Sequence, residues 1–218
     1  MARWTAGGDS FRRPLGPIQR LEGWWRLIGA LSGAILLGTN GVMSGVRGIY
    51  EWDSWKGWAA FPADYSWAII DTALAGLVYI LNAFWEASAF WHDLSRRENR
   101  HVYERGVYLQ KRFALAQGNV ISNASAGGGV IDLDFLEEHE TLHSWQSRAF
   151  GPLLEATYIL WGIGGFVVAS IYWLFNHRQN WRELVKEAAY FDNPFEYWAF
   201  NNNGNWPPRS DNAGLLWA

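Results

Sequence analysis

The sequence predicts a mainly α, multi-pass α-helical membrane fold with a small interfacial α+β region. Three observations predict it. Three apolar stretches, Trp24–Val46, 66–85 and 153–175, are each long enough to cross a bilayer, which takes about 20 mostly apolar residues. Aromatic residues bracket every one of them. A long polar segment between the second and third carries strand-like and helix-like patterns rather than linker composition.

The bulk numbers agree. The 218 residues suffice for one compact bundle. Aromatic residues make up 17% of the chain and 16 of them are tryptophan, a side chain that collects at membrane–water boundaries. A net charge of −3 gives no basic surface for phosphates, so nucleic acid is excluded as a partner. The absence of cysteine excludes disulfides, thiolate metal sites and thiol nucleophiles. A mean hydropathy of −0.14 averages very apolar stretches with very polar arms.

Residues 1–23 form a flexible, basic N-terminal arm, polar and arginine-rich. The first apolar stretch has no small-x-small cleavage site after it and reads as an uncleaved anchor. Its pairs Gly29/Gly33 and Gly41/Gly45 have the small-xxx-small spacing that lets helix backbones meet inside lipid. Trp67 and Trp85 frame the second stretch, which holds Asp71. An ionisable group inside a membrane is a functional candidate, although Asp71 is close enough to Trp67 to lie near the interface.

The bundle spans 24–175, with an inserted polar region at 92–151. "FWHDLSRRENRHVYER" (90–105) is expected to carry the second helix out of the membrane. "GVYLQKRFALAQGNVISN" (106–123), rich in β-branched and aromatic residues, reads as one or two strands. After the "ASAGGG" break, "DLDFLEEHETLHSWQSRAF" (132–150) is a helix, with Asp134 and Glu137 as a capping box. Gly151-Pro152 ends it, and Pro152 starts the third apolar stretch. Residues 176–218 form an amphipathic C-terminal tail, with helices over 178–192 and 193–200.

Lys and Arg number 5 through Arg26, 2 in the first connection, 7 between the second and third stretches and 4 after the third. With three crossings the positive-inside rule sets 12 against 6, putting the N-terminus and the polar region in the cytoplasm. If the third stretch instead turns back at "GIGG" (162–165), the tail joins that side. Such irregular backbone is tolerated only where protein buries it.

The polar helix contains His139-Glu140-Thr141-Leu142-His143. Two histidines four apart share a helix face. That spacing lets two imidazoles take one zinc ion while the intervening glutamate acts on water. Here the chain resembles the glutamate-type zincin metallopeptidases. The resemblance implies His139 and His143 as metal ligands, Glu140 as catalytic base, a Zn2+ cofactor and a peptide substrate. It also implies a third ligand downstream, and Glu196 in "NPFEYWA" fits that pattern. Position 200 is Phe where that family often carries a second acid. Longer strings, "GNVISN", "HETLHSWQSRAFGP" and "DNPFEYWAF", resemble stretches of bacterial membrane proteins of unassigned activity, which implies a bacterial cytoplasmic membrane.

Three readings compete with Glu196 as a ligand. Asn193, Pro194 and Glu196 also make an ordinary helix start. Three straight crossings would separate Glu196 from His139 by a bilayer. Glu86, His92 and Asp93, at the end of the second stretch, would then be on the correct side. Other chemistry is easier to set aside. All five histidines fall outside the apolar stretches, which argues against haem or pigment in the bundle. There is no nucleophile elbow and no phosphate-cradling glycine loop. Arg148 is a candidate for an oxyanion, a lipid phosphate or plain surface exposure. The functional expectation is a membrane-embedded zinc-dependent metallohydrolase acting on peptides. The rival is a non-enzymatic subunit that packs against partner membrane proteins.

Overall fold

The computed structural model describes residues 17–109, 114–125, 136–177 and 179–202. The expected cap Asp134, most of the N-terminal arm and the end of the tail lie outside them. The chain divides into two compact units, 1–35 and 36–218, and helix α1 (Pro17–Arg47) contributes to both. In the first unit Trp24, Trp25, Leu27, Ile28, Leu31 and Ile35 are all exposed. The second unit is mainly helical with one small sheet.

Among the described residues, two helices are long and apolar enough to cross a membrane: Trp24–Arg47 within α1, and α6 (Pro152–Phe175). The second predicted stretch differs from expectation. Helix α2 (Trp55–Pro62) runs into a π-helical turn at Ala63–Trp67, and α3 (Ile69–Phe84) leaves it at 96°. Ala68, with φ −90° and ψ 26°, breaks the helix there. At 1.5 Å per residue α3 is about 24 Å long, shorter than the roughly 30 Å apolar core. Only the bent pair together has the length of a span.

The expected outward continuation of this helix is absent. Trp85 turns extended, and 90–105 becomes β1 (Ala89–Phe90), α4 (His92–Glu98) and β2 (His101–Arg105). Asn99 stops α4 by taking the left-handed conformation, φ 55°, which a short amide side chain tolerates. The segment 106–123 yields β3 (Leu115–Gln117) and β4 (Val120–Ser122). The sheet order is β1-β2-β4-β3. β1/β2 and β3/β4 are antiparallel, while β2 and β4 are parallel, with His101 opposite Val120. Gly118 opens the two-residue β3–β4 turn at φ +51°, and a Cβ there would lie 2.6 Å from the Asp71 carbonyl oxygen. Only glycine satisfies both demands.

Helix α5 (Thr141–Phe150) continues a π-helical turn at Leu136–Glu140 and ends at Gly151. Pro152 then opens α6, as expected. After α6 come α7 (Trp181–Lys186), a π-helical turn (Glu187–Phe191) and α8 (Pro194–Asn202). This tail returns along α6. The Trp181 indole donates to Ser170 Oγ at 3.2 Å, the Trp161 indole donates to the Ala188 carbonyl at 3.0 Å, and the Tyr158 hydroxyl donates to Glu196 at 2.8 Å. Gly165 permits the approach, since a Cβ there would lie 2.3 Å from the Ala188 oxygen. The helix stays unbroken through "GIGG". The helix therefore does not turn back at "GIGG", as a plain crossing requires, and the tail packs back along it.

The glycine pairs of α1 do not mediate helix contact among the described residues. Nothing lies within 4 Å of a Cβ built at Gly29, Gly33 or Gly45, and Gly41 meets only the Tyr65 ring. Polar side chains dock α1 instead. Asn40 and Asn119 exchange reciprocal amide bonds of 2.8 and 3.0 Å. Ser44 Oγ is 2.9 Å from His101 Nε2. The Arg47 guanidinium lies 3.9 Å from the Phe90 ring centre and donates to the Tyr103 hydroxyl.

Arg148 is neither at the surface nor aimed at a cavity. It is buried and donates to both Asp64 carboxylate oxygens, at 2.8 and 2.9 Å, and to the Asn99 carbonyl at 2.6 Å. Burial acts to lower its pKa, but Asp64 outweighs that and raises it. Tyr50 donates a third bond to Asp64 at 2.7 Å.

Asp64→Ala, which strands the Arg148 charge, is expected to cost about 3–5 kcal/mol. Asp64→Leu with Arg148→Met should recover much of that, as read by thermal unfolding in detergent. His101 supplies a second test. Burial, then Arg47, lowers its pKa to about 3, against about 6.5 unfolded. Below pH 6.5 the unfolded chain takes up a proton that the folded chain refuses, so stability falls as pH drops toward 3. His101→Gln should make the slope between pH 6.5 and 5 shallower by up to about 1.4 kcal/mol per pH unit. An unchanged slope would refute this.

Candidate metal centre

Three elements meet at the site. The π-helical turn supplies His139 and Glu140, α5 supplies His143, and α8 supplies Glu196. Asn193 Oδ1 accepts the Phe195 N–H at 3.0 Å and caps α8. Glu196 is thereby released from capping, and its carboxylate turns to the histidines. His139 Nε2 and His143 Nε2 are 3.3 Å apart. Glu196 Oε2 is 3.7 Å from the first and Oε1 is 3.5 Å from the second. A tetrahedral zinc ion with bonds of about 2.0–2.1 Å separates its ligand atoms by about 3.3–3.4 Å. The two Glu196 contacts fall on different carboxylate oxygens; taking one donor atom from each residue, all lie within 4.8 Å of one another, and among the described residues this is the group that could hold a metal ion.

Supporting contacts orient the donors. His143 Nδ1 is 2.9 Å from Gln146 Oε1, which assigns a proton to Nδ1 and points Nε2 at the group. Gln146 is itself fixed by donating to the Phe195 carbonyl at 3.0 Å. The Tyr158 hydroxyl donates to Glu196 Oε1. Phe200, at the position where a second acid was sought, packs its ring 4.4 Å from that of His139. An apolar contact thus stands where a carboxylate would have oriented the imidazole.

The electrostatics follow from burial and close charges. Burial tends to lower the pKa of His143, but Glu196 and Glu140 outweigh it and raise the value to about 9. Burial tends to raise Glu196, and the two imidazoles outweigh it, holding the carboxyl well below its usual range. Glu140 is raised, chiefly by burial. A site that draws protons onto imidazole beside a carboxylate has a place for positive charge. Glu140, His143 and Glu196 line a cavity of about 480 Å³, together with Asp71, Ser147, Glu155, Tyr158 and Tyr190.

The other candidates do not join the group. His92 and Asp93 are exposed and pair with each other at 3.5 Å, and Glu86 is exposed. Gln146 and Tyr158 had not been singled out from the sequence. The i, i+3 spacing from His143 was a signal for Gln146; Tyr158 had none, because its approach depends on the returning tail.

No protein-family model matches the chain, and neither a curated protein nor a solved structure matches it. The site rests on its own geometry.

Gln146→Leu keeps the three donors but frees the His143 ring. It is expected to weaken zinc binding about 10–100-fold, measured by competition with a chromogenic chelator. Equal affinity in the variant would show that Gln146 does not orient the ligand.

Proposed function

We propose that this protein is a membrane-embedded zinc-dependent metallohydrolase acting on peptide bonds. His139, His143 and Glu196 hold the metal, and Glu140 is the catalytic base. The observation that carries the reading is the three-donor group, with two of its three members on the wall of a cavity. A non-enzymatic scaffold gives no reason for a buried carboxylate within 3.7 Å of both motif imidazoles.

Zinc bound there would supply Lewis acidity, acidifying water and polarising a carbonyl oxygen. Glu140 takes the proton of the attacking water and passes it to the departing amine. Its burial, which raises its pKa, suits a group that must both accept and return a proton. Burial, then the Glu196 charge, keeps the Tyr190 phenol protonated. Its hydroxyl bonds to Glu196, so Tyr190 helps hold the carboxylate ligand at the cavity wall. Strand β3 borders the cavity and is the outer strand of the sheet. An extended peptide can add to such an edge through its main chain, which favours a peptide substrate. The long apolar helices supply the bilayer as the second partner.

Elemental analysis of protein purified in detergent tests this directly. Wild type should carry about one zinc per chain, the stoichiometry of a single three-ligand site. His139→Ala and Glu196→Ala should lose it. Glu140→Gln should keep it, while hydrolysis of a quenched-fluorescent peptide library falls about 10²–10⁴-fold. Wild type without metal after zinc is offered and excess removed would sink the proposal.

A further inference from the structure

The cavity holds a second pair of acids that the metal chemistry does not use. Asp71, in the first turn of α3, is fully buried, and Glu155, in the first turn of α6, is partly buried. Both line the cavity, and the two carboxylates interact with each other. Ser147 Oγ donates to Asp71 Oδ2 at 2.5 Å, and Gln117 Nε2 donates to Glu155 Oε1 at 2.7 Å. Apart from the neighbouring Glu155 carboxyl, Asp71 Oδ1 has no hydrogen-bond donor among the described residues. A buried carboxylate oxygen facing a cavity without a donor carries a desolvation cost that a ligand N–H would relieve.

The surroundings specify the sign of that ligand. Four acids line the cavity: Asp71, Glu140, Glu155 and Glu196. Against them stand His143 and Lys186, and the Lys186 ammonium lies over the Phe191 ring at 5.1 Å. Ser147 and Gln117 present hydrogens rather than lone pairs, and no imidazole is among the groups bonded to these two acids. The pair is furnished to accept further N–H groups rather than to ligate a second metal.

Position sets what that cation belongs to. Ser147, which holds Asp71, follows His143 by four residues on α5, about 6 Å along that helix. An extended peptide advances about 3.3–3.6 Å per residue.

We propose that Asp71 and Glu155 form a cation subsite that receives an ammonium or guanidinium group of the substrate, one to two residues from the bond being cut. The group is either the free amino terminus or a lysine or arginine side chain. The position of the cut rests on the hydrolase reading above; the subsite itself does not need the metal.

The test uses metal-free full-length protein in detergent and three tripeptide amides, with calorimetry for binding. Acetyl-Leu-Lys-Leu-amide against acetyl-Leu-norleucine-Leu-amide isolates a side-chain cation. The free-amine form of the norleucine peptide against its acetylated form isolates the terminus. One cationic member is expected to bind at least tenfold tighter than its neutral partner. Asp71→Asn with Glu155→Gln should abolish that preference. Glu155→Gln alone, at the less buried site, should reduce it if the double variant does not fold. No preference in wild type, or a preference that survives in a folded variant, overturns the subsite. Zinc content is measured separately. Cation preference without zinc fails the hydrolase reading alone, and zinc without cation preference fails the subsite alone.

Discussion

The bidentate pair between Arg148 and Asp64 is the interaction on which the rest of the larger unit depends. It joins the end of α5 to the π-helical turn before α3, and through the Asn99 carbonyl to the start of β2. Two charges taken out of water are tolerable only when their remaining hydrogen-bond capacity is met. Tyr50 meets part of it at Asp64, and Asn119 in turn donates to Tyr50 at 3.2 Å and faces Asn40 of α1. One buried polar chain thus reaches from α5 to α1 and fixes the helix that carries His143. Specific orientation, rather than net stability, is what such a network supplies best.

The second constraint is the returning tail. The larger unit has no single apolar core; its buried apolar side chains fall into several small clusters, one of them Ala169, Leu184 and Ala188 between α6 and the tail. Indole and phenol hydrogen bonds at three levels add direction to that packing. The outward side of α6 keeps Ile159, Leu160, Ile163, Val167 and Leu174 exposed. The helix therefore presents an apolar face outward and a small-residue, hydrogen-bonding face to the tail.

Much of this was legible in the sequence, and what was not has physical causes. Apolar length found α1 and α6, and Gly151-Pro152 marked the joint between α5 and α6. The i, i+4 histidines were readable as spacing and Glu196 as what the zincin resemblance implies, and the fold brings these three side chains together. The bend before α3 was hidden because "SWAIID" is apolar on both sides of it, and hydropathy has no term for direction. The strands β1 and β2 were read as helix because "HDLSRRENR" has good helix formers; the left-handed Asn99 that ends α4 is a tertiary choice, secured by its side chain accepting the Glu51 N–H. Arg148 looked like a surface cation because its partner Asp64 lies 84 residues away. The helices of the tail were legible, but their return along α6 was not. Charge counts assign sides to loops, but they do not register a segment that folds back along the helix before it.

The origin of the three donors bears on the order in which the site comes into being. His139 and His143 leave the ribosome together, before the whole of α6. Glu196 follows only after that helix and its turn have been made. Chains are synthesised from the N-terminus at about 5–20 residues per second, so the imidazole pair exists for several seconds without its carboxylate. In that interval the two imidazoles and Glu140 are an incomplete set. Completion waits on the docking of α8, which makes the last helix of the described chain the step that finishes the centre.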